Sequence, residues 1–97
     1  MNIEKNINGS VMTVKVIGRL DTLTAPDLEK ELSDIGGATE LVFDFADLDY
    51  ISSAGLRVLL AANKKLGNGG KVTVSNVIPE VREIFEITGF DSILTIE

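Results

Sequence analysis

Ninety-seven residues, 44% hydrophobic and 25% charged, are enough for one small domain with a single core, and too few for a cleft between domains. The net charge of -6, with nine Lys and Arg scattered along the chain, argues against a nucleic-acid partner, which would need clustered cations on one face. Cys and His are both absent, which excludes disulfides, thiol chemistry, a Ser–His–Asp triad and the commonest metal ligand, so no metal or cofactor is expected.

The chain starts Met1, Asn2, Ile3, Glu4, without the basic start and apolar run of a secretory signal. No apolar stretch approaches the ~20 residues of a membrane span. A cytoplasmic location without membrane insertion is therefore expected.

In chain order, Asn8-Gly9 separates two alternating runs, Ile3–Ile7 and Val11–Ile17. Asn-Gly suits a type I′ turn, in which both central residues have positive φ, so the runs are expected to pair antiparallel. Met12, Val14 and Val16 then face the core. Gly18 to Asp21 ends the second strand. A first helix is expected to start at Thr24 as N-cap, with Pro26 and Asp27 in its first turn, Leu28, Leu32 and Ile35 as its apolar stripe, and Gly36-Gly37 as its stop. Leu41–Phe45, apolar on nearly both faces, reads as a central strand.

A second helix is expected from about Ala54 to Leu66, largely buried through Leu56, Val58, Leu59, Leu60 and Ala62. The stretch from Gly67 through Asn68 to Gly70 breaks it. It is no phosphate loop, because it follows a helix and precedes a strand. Lys71–Ser75 reads as a strand. Pro79 starts a third helix with Val81, Ile84, Phe85 and Thr88 on one face and Gly89 at its end, and Ile93–Ile96 forms a last short strand. The order β-β-α-β-α-β-α-β implies one α/β domain over residues 1–97, a mixed and mostly parallel sheet of about five strands with helices packed on it.

The most informative segment runs from Asp47 to Leu60. Ser52 and Ser53 stand where extended chain passes into a helix N-terminus. A hydroxyl there either caps the helix or carries a phosphate that the helix end tolerates. Two serines are present where one cap suffices. Gly55 leaves the first turn bare, open to the close approach of a partner. The carboxylates Asp21, Asp44, Asp47 and Asp49 lie near strand ends, where Asp ordinarily serves turns and caps, so no enzyme activity is expected of them. Tyr50 is read as a lid over the core, and Phe85 and Phe90 as core.

Gly18-Arg19-Leu20-Asp21, the Thr24-Ala25-Pro26 helix start, Leu41–Phe45 with its following Asp47–Ile51, Ser52-Ser53-Ala54-Gly55-Leu56, Gly69–Val72 and Ile84–Phe90 resemble, in order and spacing and over essentially the whole chain, the STAS-domain anti-sigma-factor antagonists. The resemblance implies a partner switch. Such an antagonist, unphosphorylated, binds an anti-sigma factor that is also a GHKL-type serine kinase. It is released when phosphorylated, and a PP2C-type phosphatase resets it. The motif puts the acceptor at Ser53, with Ser52 the alternative, since Ser52 stands where many antagonists have Asp. Asp21, Thr22, Asp49, Ser52, Ser53, Gly55 and Arg57 are the expected partner contacts, and the free domain is expected to be a monomer. The second reading of the same family is a STAS scaffold subunit of a transporter or stress-signalling complex, in which Ser53 is never phosphorylated.

Overall fold

The computed structural model describes residues 1–67 and 69–97. Asn68, in the expected break after the second helix, lies outside the described residues. Strand β1 (Asn2–Asn8) pairs antiparallel with β2 (Val11–Leu20) from Asn2↔Ile17 to Asn8↔Val11. The turn differs from expectation. Its centre is Gly9-Ser10, and of these only Gly9 has positive φ, at 62°. That matches a type II′ turn, which needs glycine only at its first central position, so Asn8 stays in the strand.

Helix α1 (Ala25–Glu31) is followed by β3 (Glu40–Asp44), β4 (Leu48–Ile51), helix α2 (Ser53–Leu66), β5 (Lys71–Ser75), helix α3 (Pro79–Thr88), a 3-10 turn (Phe90–Ser92) and β6 (Thr95–Ile96). The sheet order is β1-β2-β3-β5-β6, parallel from β2 onward. The expected mixed α/β architecture is present, with one strand more. Leu48–Ile51 forms β4, parallel to the end of β2, across a register shift at Gly18/Arg19. Strand β2 accordingly runs on to Leu20, past the expected end at Ile17. Leu48 and Ile51 are buried while Asp49 and Tyr50 between them are exposed. Four residues in that pattern carry no period of two, so nothing in the hydropathy marks a strand.

Met12, Val14 and Val16 of β2, Leu41 and Phe43 of β3, Phe45 just beyond it, and Val74 of β5 are buried under the helices. Phe45 stacks on Phe85 of α3 with centroids 6.5 Å apart and tilts against Phe43 at 5.9 Å. Each such pair adds about 0.5–1.5 kcal/mol beyond simple burial. Phe90 packs against this core while staying partly open.

Helix α1 ends earlier than its apolar stripe suggests. The Ser33 hydroxyl donates to the Lys30 carbonyl, and Lys65 Nζ of α2 donates to the carbonyls of Leu32 and Ser33 at 3.1 and 2.6 Å. These bonds take the last carbonyls out of the helical ladder, so Ile35 packs from the following loop. Thr88 is exposed at the end of α3 and donates its hydroxyl to the Ile84 carbonyl at 2.7 Å instead of packing in the core. Among the described residues, no helix is long and apolar enough to cross a membrane.

Candidate functional site

In parallel α/β sheets the loops beyond the carboxyl ends of the strands are where ligands and partners are met. Here the ends of β2 and β4 lie side by side, and both feed exposed polar residues to one corner. The Ser52 amide donates to the Leu20 carbonyl at 2.9 Å, tying the two strand ends together.

The two serines are not equivalent. Ser52 is extended (φ -99°, ψ 175°), and its hydroxyl accepts from the Gly55 amide in a long bond of 3.4 Å. It is the N-cap, and its carbonyl accepts the Leu56 amide at 3.0 Å to start α2. Ser53 is the first helical residue and is exposed. Its hydroxyl has no hydrogen-bond partner among the described residues. One serine is thus engaged by the fold and the other is free at the positive end of a 14-residue helix.

Gly55 does not present a bare surface to a partner. It is buried, and an added Cβ would lie 2.7 Å from Leu20 Cγ and 2.9 Å from Ile51 Cγ1. The missing side chain makes room inside the domain, letting α2 sit close on the ends of β2 and β4. Ala54 is partly open and Arg57, one turn beyond Ser53, is exposed.

The turn from Asp21 to Thr24 forms the neighbouring wall. Thr24 makes no side-chain cap. Its hydroxyl instead donates back to the Arg19 carbonyl at 2.7 Å and accepts the Asp21 amide at 2.8 Å. Asp21 supplies the helix start: its Oδ1 accepts the amides of Leu23 and Thr24 at 3.0 and 3.1 Å, and its carbonyl accepts the Ala25 amide. Partial desolvation pushes the Asp21 carboxyl up, but the amides of Thr24 and Leu23, the Thr24 hydroxyl and the charge of Arg19 together hold it below its ordinary value. Asp21 is therefore first a structural residue, with one oxygen committed to the turn.

A carboxyl with lowered folded pKa contributes stability well above the unfolded value of 3.8 and loses it as pH falls through the folded pKa. Asp21→Asn keeps an oxygen for the two amides and removes the titration. Urea midpoints measured from pH 6 down to pH 2 are expected to fall less steeply on the acid side for Asp21→Asn than for the parent. Superimposable acid limbs would contradict the role given to this carboxylate.

Two features of this corner were not legible in the sequence. Leu23 is 86% exposed at the tip of the Asp21–Thr24 turn, the most exposed of the large apolar residues described. Tyr50 is not a lid. It stands at the surface with the Arg19 guanidinium 4.4 Å from its ring centroid, while Arg19 Nε lies 3.8 Å from Asp21 Oδ2. Thr22 and Asp49 are exposed beside them. The corner therefore offers an apolar tip, a stacked cation, a free cation and a free hydroxyl. Asp44, by contrast, is occupied by its own turn: it accepts the Ala46 amide at 3.0 Å and the Asn76 side chain at 3.1 Å.

From Thr22, Ala54 and Arg57 a groove of about 380 Å³ runs between α1 and α2, lined also by Pro26, Glu29 and Ala61. Small side chains on α2 leave it open.

The STAS domain family model matches residues 2–97. BtrV of Bordetella bronchiseptica, whose name is that of a candidate anti-sigma factor antagonist, is 43% identical over 82 residues, which span 81% of this chain and 71% of that protein. The anti-sigma-B factor antagonist of Staphylococcus aureus is 29% identical over 97% of this chain and 90% of its own. The crystal structure of an anti-sigma factor antagonist from Mycobacterium paratuberculosis matches with a TM-score of 0.88 at 28% identity, covering 98% of this chain and 83% of that one.

Proposed function

The chain belongs to the STAS domain family, and from that premise we propose that it is an anti-sigma factor antagonist whose binding is switched off by phosphorylation of Ser53. Unmodified, it docks the corner formed by the Asp21–Thr24 turn, Asp49, Tyr50 and the first turn of α2 onto an anti-sigma factor. That partner is also its serine kinase, and a PP2C-type phosphatase reverses the modification. The role is regulatory: the domain binds and is modified, and catalyses nothing itself.

The observation that carries this reading is the division of labour between the serines. Ser52 caps α2, so Ser53 is left with an exposed hydroxyl and no partner among the described residues. A phosphate there adds close to two negative charges. The domain accepts them at a helix N-terminus, while a partner seated over the same spot would have to strip the water from a dianion. The switch needs no refolding of the antagonist.

The test is phosphosite mapping of the protein purified from its own cells, growing and starved, with the bound proteins identified in each state. Phosphate on Ser53 with changing occupancy, and a GHKL-type kinase retained only by the unmodified form, is the expected result. Bare Ser53 and Ser52 in both states, with a transporter or stress-complex subunit stably bound, would replace the switch by a scaffold.

A further inference from the structure

Arg57 stands one helical turn after Ser53, and both are exposed. Residues four apart on a helix share a face with their Cβ atoms about 5–6 Å apart. Side chains on a helix lean toward its N-terminus, so an arginine at position 57 is within reach of the turn that carries Ser53. The guanidinium forms no ion pair among the described residues, whose three salt bridges use Lys5, Lys15 and Arg19. The corner also carries the exposed Asp49, which forms no ion pair among the described residues. Glu29 faces Arg57 across the groove from α1 without pairing, and Arg19 and Asp21 of the adjoining turn are paired with each other.

We infer that Arg57 is the intramolecular clamp of a phosphate on Ser53: a free cation at the docking corner in the unmodified protein, drawn back onto the phosphate in the modified one. The inference rests on the proposed phosphorylation of Ser53 and extends it. Modification then changes the corner twice over, adding a dianion and withdrawing a cation that a partner carboxylate would otherwise meet. A planar guanidinium binds two phosphate oxygens at once, which an ammonium does not. Arg57 is a positioning residue here, acting on the bound group and not on its transfer.

The experiment uses the full chain with phosphoserine installed at position 53 during translation, as parent, Arg57→Gln and Arg57→Lys. Phosphorus NMR follows the second ionisation of the phosphate between pH 4 and pH 8. The parent midpoint is expected about half a unit below that of Arg57→Gln, since an opposite charge favours the dianion, with Arg57→Lys between the two. An anion at a helix N-terminus is stabilising, so phosphorylation is expected to raise the melting temperature, and by less in Arg57→Gln. Coincident midpoints in parent and Arg57→Gln would overturn the clamp. Each phosphoprotein is also titrated against the anti-sigma partner. Undiminished binding of the phosphorylated parent would remove the proposed switch while leaving the clamp measurement intact, so the two failures are separable.

Discussion

Ser53→Asp is expected to fold as well as the parent and to lose its anti-sigma partner by a hundredfold or more, a loss of about 3 kcal/mol. Folding is spared because residue 53 is exposed at the first position of α2 and its hydroxyl bonds to nothing among the described residues. Exposed substitutions of this kind stay within about 0.5 kcal/mol, and a carboxylate in the first helical turn is stabilising by about 0.3–1 kcal/mol. Binding is not spared, because a partner seated over the same carboxylate must take it out of water, at a cost of several kcal/mol, about the size of the expected loss. Ser53→Ala removes the acceptor and adds no charge, so it binds constitutively. Ser52→Ala gives the complementary outcome: it loses the N-cap and about 1 kcal/mol of stability, yet keeps the acceptor. Calorimetric titration of the variants against the partner, with urea unfolding of each alone, checks all of this. Equal affinities of Ser53→Asp and Ser53→Ala would sink the phosphoswitch.

How much of this corner could be read beforehand follows from which interactions are local. Pro79 at the first position of α3 and Gly89 just after its end are legible in the sequence, because a proline start and a left-handed glycine end are decided by the chain itself. The serine pair was visible as a strand-to-helix junction for the same reason. Which serine caps was not, since both fit the spacing and the choice depends on where the chain turns helical, at Ser53. That point is set by the bond from the Ser52 amide to Leu20, a contact across 32 positions. Strand β4 escaped notice because its pairing with β2 is what makes it a strand. Leu23 gave no signal at all. One leucine in a loop reads as a core residue, and only the hydrogen bonds of Asp21 and Thr24 turn its side chain outward. The surface position of Tyr50 is equally absent from the local sequence, because it goes with Arg19, which lies on another strand.

Gly55→Val is expected to cost about 2–3 kcal/mol in stability and to weaken partner binding as a secondary effect. Two opposing effects decide the size. Glycine inside a helix is unfavourable by about 1 kcal/mol against alanine, and valine recovers about 0.4 kcal/mol of that. Against this gain, the first added carbon would lie 2.7 Å from Leu20 Cγ and 2.9 Å from Ile51 Cγ1, mid-chain atoms of side chains that are 0% and 2% exposed. Neither can swing aside into solvent, so α2 must move off the ends of β2 and β4, and overpacking, at the upper end of its usual range of about 1–3 kcal/mol, outweighs the gain. Gly55→Ala carries the same first contact with a larger propensity gain, so its loss is smaller, about 1 kcal/mol. For a domain of this size 2–3 kcal/mol lowers the melting temperature by roughly 10–15 °C. The displacement reaches the site because the Leu20 carbonyl holds the Ser52 amide, so a shifted Leu20 shifts the start of the helix that presents Ser53. Urea unfolding of the Gly, Ala and Val forms gives the order of stabilities. A valine form as stable as the parent would mean that Gly55 is not held by the packing of α2, and would return it to the exposed role that the bare sequence suggested.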